Sequence, residues 1–243
     1  QDYLIAILIF VVMIISAVEM YVVLTRAGHR PMTLFGLLGV GWALFGTWYW
    51  GMVSIPVALA LTTVATLVFF GVVAHRKHPL LDTALTLLVV AWIGALGSPA
   101  MDIAFAPDYA WMIASIVIIT ALMDIAQYFV GRRFGKRQLA PRISPKKTVE
   151  GLAGGVVVAV AVGAVLGNFG PFELTDGLLL GAIVAVAGPL GDLAVSVVKR
   201  AIGVKDMGAI LPGHGGVLDR IDAMIFVIPA AWVVYSWMGL IVG

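Results

Sequence analysis

The feature that most constrains this chain is the recurrence of apolar runs about 20 residues long, separated by short polar breaks. A run of that length crosses the ~30 Å hydrocarbon core of a bilayer as a helix. Backbone groups in lipid must find partners within the chain, and these runs lack the alternation of a barrel strand. Eight spans are read, at 4–25, 31–50, 54–74, 80–98, 109–130, 148–168, 176–198 and 216–241. Composition agrees: 62% of residues are hydrophobic, 12% are charged, and the mean hydropathy is +1.08. The expected fold is an all-α integral membrane protein, a polytopic bundle of about eight transmembrane helices. With Cys 0, disulfides and thiolate metal sites are excluded.

The charges orient the bundle. All 15 Lys and Arg fall in or beside one set of breaks: Arg26–Arg30, His75–His78, Gly131–Lys147, and Lys199–Gly215 with Arg220 just beyond. The opposite side holds only acids, namely Asp2, Asp102, Asp108, Glu173 and Asp176. The positive-inside rule makes the basic face cytoplasmic and puts both termini on the non-cytoplasmic side. One span more or fewer would scramble that agreement. The net charge of +2 is too small to argue for nucleic acid. The first apolar run is a full span without a basic leader or a small-residue cleavage site, so it reads as a span and not a signal peptide. Because the chain starts at Gln1, a missing native leader is left open.

Trp48, Trp50, Trp111 and Trp237 lie near the outer ends of spans, where an aromatic belt anchors a membrane protein. Glycine runs such as Gly151-Leu-Ala-Gly154-Gly155 allow helices to approach closely. Spans one to four carry little polar material. The organisation read is therefore 1–108 as an N-terminal transmembrane scaffold and 109–243 as a C-terminal catalytic region with cytoplasmic loops 131–147 and 199–215.

Seven acids, Glu19, Asp82, Asp124, Glu150, Asp192, Asp219 and Asp222, sit within about two turns of the basic loops, on the order of 10 Å. Asp192 and Ser196 share a helix face that Lys199 continues, and Asp219 and Asp222 share another. Carboxylates gathered at one depth repel one another or take up protons unless something positive stabilises them. Asp and Ser oxygens beside Lys and Arg suit Mg²⁺. Glu19 and Asp82 read as structural ion pairs or side chains snorkelling to headgroups. Asp192 and Asp219 read as ligands.

Two loops add anion chemistry. Leu211-Pro212-Gly213-His214-Gly215-Gly216 exposes backbone N–H groups just before a helix N-terminus, which favours phosphate. His214 reads as a phosphate contact in preference to a base or a turn residue. The segment Gly131–Gly151 carries seven Lys and Arg; it would lie on anionic headgroups, or hold phosphate through Lys146 and Lys147 at a helix start. Thr148 or Ser144 would cap that helix, with Glu150 in its first turn.

The run Ser196-x-Val198-Lys199-Arg200-x4-Lys205-Asp206-x-Gly208-x2-Leu211-Pro212-x-His214-Gly215-Gly216-Val217-x-Asp219-Arg220-Ile221-Asp222 resembles the defining motif of phosphatidate cytidylyltransferases, the CDP-diacylglycerol synthases. The run Asp124-x3-Tyr128-x2-Gly131-Arg132-x-Phe134-Gly135-Lys136, with Leu139-Ala140-Pro141 and Ser144-Pro145-x-Lys147-Thr148-x-Glu150-Gly151, is similar to a second block of that family. The resemblance covers 124–222. Gln127 departs from it, standing where the family usually has a small residue, and the first four spans match no motif.

The resemblance implies transfer of CMP from CTP to phosphatidic acid, giving CDP-diacylglycerol and pyrophosphate, with one or two Mg²⁺ ions. It implies Asp192 and Asp219 as metal ligands, backed by Ser196, Asp222 and Asp124. Lys146, Lys147, Lys199, Arg200, Lys205 and Arg220 would hold the triphosphate and the lipid phosphate, with Ser144, Thr148, Gly215 and Gly216 around the nucleotide. Asp192, Asp219, Lys147, Lys199, His214 and Arg220 would be nearest the chemistry. The expected setting is a bacterial inner (plasma) membrane with the site toward the cytoplasm, among membrane lipids. A homodimer, with the sparsely charged first spans as its interface, is a further expectation. Two rivals remain: a CTP-dependent lipid kinase or a cytidylyltransferase for another lipid phosphate, and, more distantly, a cation-coupled transporter. The transporter is disfavoured because the charges hug one face.

Overall fold

The computed structural model describes residues 2–74, 76–208 and 215–241. The chain forms two compact units. The first is Gln1–Phe105 with Ile202–Ile221, and the second is Ala106–Ala201 with Asp222–Gly243. The described residues 202–208 and 215–221 thus group with the N-terminal helices, although they follow the second unit's longest helix in sequence.

In the first unit, α1 (Asp2–Arg26) is followed by α2 (Thr33–Trp50) and α3 (Ser54–Val72), joined by a single 3-10 turn at Gly51–Val53. Gly51 makes that turn possible with φ 67, a conformation open to glycine. Then come α4 (Pro79–Val89), a π-helical stretch (Val90–Ala95) and α5 (Pro99–Phe105). Residues 99–105, which fall between the spans read at 80–98 and 109–130, are helical. Pro99 opens α5, where a missing N–H costs nothing, and Ala100, Met101, Ile103 and Ala104 are buried.

Small residues and hydroxyls organise this unit. The Tyr21 hydroxyl donates to Thr86 O at 2.9 Å, and the ring fits because Gly36 has no side chain to overlap it. Thr47 donates to Ala43 O at 2.7 Å, which satisfies its hydroxyl within its own helix. At one end, Trp48 stacks on Phe105 with ring centroids 5.2 Å apart, and Tyr3 meets Trp48 edge-on at 5.9 Å. Trp48 is therefore packed, whereas Trp50, Trp111 and Trp237 are exposed as anchors would be.

The second unit is built from α6 (Tyr109–Phe134), a hairpin of β1 (Gln138–Ala140) and β2 (Ser144–Thr148), α7 (Val149–Leu166), α8 (Leu174–Ala201) and α9 (Leu218–Trp237), whose residues from Asp222 belong here. The segment read as a plain loop at 131–147 contains this antiparallel hairpin, the only strand pair among the described residues. Glycines draw α7 against α8: a methyl on Gly163 would lie 2.9 Å from Gly181 Cα, and one on Gly181 would lie 2.9 Å from Val160 Cα. Such backbone approach is how helices associate where lipid removes the hydrophobic drive between them. Inside α8, Pro189 removes one backbone donor and sits between Gly188 and Gly191. Phe226 of α9 packs on Gly191, where a methyl would lie 2.8 Å from its ring.

Among the described residues, six stretches are long and apolar enough to cross a membrane: Tyr3–Arg26, Thr33–Val72, Pro79–Phe105, Tyr109–Phe134, Val149–Leu166 and Leu174–Ala201. The second contains both α2 and α3. Helix α9 stands outside this set, with Asp219, Arg220 and Asp222 near its start. Large apolar side chains such as Leu4, Val72 and Leu80 are exposed along the helices, as lipid contact requires. The chain is a polytopic helical membrane protein.

Gly163→Ala should cost about 1–3 kcal/mol, because its methyl meets α8 backbone that cannot rotate away. Gly71→Ala, which meets nothing within 4 Å, should be neutral or stabilise by up to about 1 kcal/mol. Thermal unfolding of the two variants in detergent checks the contrast.

Candidate active site

The junction between the hairpin and α7 is fixed by its own side chains. Thr148 is extended (φ -123, ψ 154) and its hydroxyl accepts from Gly151 N at 3.1 Å, capping α7 as expected. Ser144, the other candidate cap, lies instead at the start of β2. Glu150 reaches back to accept from Lys136 N and Arg137 N at 3.0 and 3.2 Å. Val149 N donates to Arg137 O at 2.9 Å. Lys147, one residue before the cap, is thereby held at a defined place.

Its ammonium pairs with Asp192 Oδ2 on α8, with both side chains partly buried at 23% and 30% exposure. Ser196, one turn along, donates to Asp192 Oδ1 at 3.4 Å. Lys199 continues that face, and its Nζ lies 3.6 Å from Asp222 Oδ2 on α9. Asp124, on α6, is within electrostatic range of Asp192, Lys147 and Asp222. Arg200 Nε donates to Ile143 O at 3.2 Å, tying the hairpin to the end of α8. Residues far apart in sequence, from α6, β2, α8 and α9, therefore form one polar patch of three acids, two amines and a serine. Lys146 is exposed on β2 beside it.

In the first unit, Asp219 is buried, and its Oδ2 accepts from Met207 N at 2.8 Å and Gly216 N at 2.9 Å. Gly215 has φ 81, and a methyl there would lie 2.9 Å from the same oxygen. Lys205 and Arg220 are exposed. His214, with Leu211, Pro212 and Gly213, lies outside the described residues. Asp192 belongs to the second unit and Asp219 to the first.

Glu19 differs from its sequence reading. It is no snorkelling side chain: at 4% exposure, its Oε1 accepts from Val217 N at 3.0 Å and its Oε2 from Leu218 N at 2.8 Å. Asp82 is likewise buried and accepts from Arg30 N at 3.3 Å. The clue to Glu19 in the sequence was Gly208 and Gly216, whose lack of side chains leaves room for its carboxylate.

Among the described residues, no three His, Cys, Asp or Glu side chains gather as a ready metal site. The oxygens of Asp192, Ser196, Asp222 and Asp124 are nevertheless of the kind a hard divalent ion takes. As they stand, Lys147 and Lys199 neutralise Asp192 and Asp222. The donor chemistry fits Mg²⁺, and the two lysines supply the positive charge where the acids meet.

Multiple apolar helices carrying a lysine–aspartate patch define a polytopic helical membrane protein. Its relatives are specific. A model of the cytidylyltransferase family matches residues 1–238, and the chain belongs to that family. It is 40% identical over 165 residues to a phosphatidate cytidylyltransferase of Staphylococcus haemolyticus, covering 67% of this chain and 63% of that protein. A phosphatidate cytidylyltransferase of Mycobacterium leprae is 31% identical over 235 residues, 90% of this chain and 74% of its own length. The uncharacterized protein YnbB of Escherichia coli is 43% identical over 121 residues, 49% of this chain and 41% of that one. The chain thus spans less than two thirds of the length of two of these three curated relatives.

Lys147→Ala and Asp192→Asn should each destabilise the protein, and the double variant should cost less than their sum by about 0.5–3 kcal/mol. Thermal unfolding of the four proteins in detergent measures this. Additive costs would show that the two groups do not act as a pair.

Proposed function

We propose that this chain transfers CMP from CTP to phosphatidate, giving CDP-diacylglycerol and pyrophosphate, at the second unit's lysine–aspartate patch. The observation that carries this reading is the meeting of Lys147 with Asp192 beside Lys199, Asp222 and Asp124, on residues of the two runs that resemble phosphatidate cytidylyltransferases. The curated relatives of that name add weight to it.

The chemistry brings two polyanions together. An oxygen of the lipid phosphate forms a bond to the α-phosphorus of CTP. The bond from that phosphorus to the bridging oxygen breaks, and its electron pair leaves with pyrophosphate. The attacking oxygen is already ionised near neutral pH, so no general base is needed. What the protein must supply is proximity and positive charge. In the second unit, Lys147 and Lys199 are proposed to hold phosphate oxygens, aided by Lys146 and Arg200; in the first unit, Lys205 and Arg220 are proposed separately as phosphate contacts. Thr148 and Glu150 keep Lys147 in place. Asp192, Ser196, Asp222 and Asp124 are proposed to hold a divalent ion, with Asp219 a metal ligand in the first unit. Bound there, Mg²⁺ would offset charge developing on the phosphates. Ser144 is proposed to line the nucleotide in the second unit, and the Gly215 and Gly216 backbone is proposed separately as a phosphate contact in the first.

The membrane arrangement follows from charge: eight spans, both termini on the non-cytoplasmic side, and the basic loops in the cytoplasm of a bacterial inner membrane. CTP would then reach the patch from solution, and the lipid would enter sideways between helices.

Purified full chain incubated with labelled CTP, Mg²⁺ and a panel of lipid phosphates should convert phosphatidate to CDP-diacylglycerol, identified by mass spectrometry. A phosphorylated lipid without CMP would instead identify a CTP-dependent kinase. Asp192→Asn should lower turnover about 100-fold or more while the protein stays extractable. Lys147→Ala should raise the CTP concentration needed for half-maximal rate. An unchanged CTP dependence would reassign the hairpin to headgroup binding.

A further inference from the structure

We infer that Glu19, from the first helix and outside both motif runs, is a positioning residue that fixes the backbone from which Asp219 projects. This rests on the proposed role of Asp219 in CMP transfer. A carboxylate at 4% exposure must be met by donors, and Glu19 is met by Val217 N and Leu218 N, 198 and 199 residues further along the chain. These are the two residues immediately before Asp219.

The surrounding sequence makes room for this contact. A methyl on Gly216 would lie 2.5 Å from Glu19 Oε2, and one on Gly208 would lie 2.7 Å from its Cδ. Neither glycine has a left-handed φ, so neither is there to allow an unusual turn. Both are there to let the acid in. Asp219 holds the same backbone as well, taking Gly216 N and Met207 N at 2.9 and 2.8 Å. Consecutive N–H groups at 216, 217 and 218 are thus divided between two carboxylates, one remote and one local. Without Glu19, the Val217 and Leu218 N–H groups lose the acceptor that fixes the residues leading into Asp219.

The experiment is a Glu19→Gln exchange in the full chain, with Asp82→Asn as comparator. Gln keeps the volume of Glu but offers one acceptor oxygen in place of two. Asp82 is another buried acid of the same unit that binds a backbone N–H and has no part in the proposed reaction. Glu19→Gln should lower kcat about 10-fold or more per folded molecule, with KM for CTP within about twofold of wild type. Amide hydrogen exchange at 217 and 218 should quicken at least 10-fold or so, while exchange in α6–α8 stays unchanged. Asp82→Asn should lower the unfolding temperature and leave kcat per folded molecule unchanged. Wild-type kcat in Glu19→Gln would overturn the inference, as would a loss that tracks only the folded fraction. If Glu19→Gln does not fold, the wild-type protein decides: slow exchange at the Val217 and Leu218 amides supports the clasp, and fast exchange overturns it. A wild-type protein that makes no CDP-lipid would overturn the activity reading first, recognisable before any variant is made, and the catalytic meaning of Glu19 would fall with it.

Discussion

A carboxylate at the edge of a hydrocarbon layer loses much of its hydration, and it stays ionised only where donors or cations replace the water. The polar architecture of this protein follows from how each such acid is met. Asp192 takes an ammonium and a hydroxyl, Asp222 an ammonium, Glu150 two backbone N–H groups, and Glu19 and Asp219 two each. Two kinds of solution are visible. Acids that order the backbone use N–H donors, which are fixed and neutral. Acids of the lysine patch use Lys147 and Lys199, whose charge can be shared with an arriving anion.

The second kind depends on helix spacing. Lys147 meets Asp192 only because β2 and α7 are held against α6 and α8 at short range, and that range is set by glycine. Gly151 comes close to the backbone of Gln127 on α6, and Gly163 and Gly181 close the gap between α7 and α8. Gln127 itself fills the space over Gly155, which shows how a larger residue is accepted at that position: the facing helix gives up its side chain. Backbone contact of this kind leaves few alternative packings, and it lets one turn of α8 carry Asp192, Ser196 and Lys199 to a reproducible place.

Much of this was legible in the sequence, for reasons that differ by feature. Helix positions were legible because bilayer thickness sets span length; α2, α3 and α6 to α8 begin and end within a few residues of the runs read at 31–50, 54–74, 109–130, 148–168 and 176–198. The face shared by Asp192, Ser196 and Lys199 was legible from helical spacing alone. The pairing of Asp192 with Lys147, 45 residues away, was not, since periodicity says nothing of which helices are neighbours. The hairpin was hidden because its strands are short and polar, as in Ser144-Pro145-Lys146-Lys147-Thr148. Helix α5 was hidden by Pro99, which looks like a break but serves as a start. Glu19 was misread because a lone acid in an apolar run offers no local partner. Its partners lie nearly 200 residues on, and only the glycines opposite record its presence.

On the proposed reading, the arrangement of Lys147 is itself instructive. In the structure it neutralises Asp192, so both charges are satisfied before any substrate arrives. A triphosphate near β2 would offer Lys147 a second and more highly charged partner. Any share of the ammonium drawn toward phosphate leaves the charge of Asp192 less neutralised, with Ser196 still bonded to its other oxygen. The same exchange is open to Lys199 and Asp222, whose separation of 3.6 Å is already looser. Oxygen donors of the kind a hard cation takes would then be exposed in step with phosphate binding, not before it. Such coupling would explain why the acids and lysines are interleaved across four elements and not segregated into a metal pocket and a phosphate pocket. In a membrane margin, two separate pockets would each leave unpaired charge when empty, whereas the interleaved patch pairs Lys147 with Asp192 and Lys199 with Asp222.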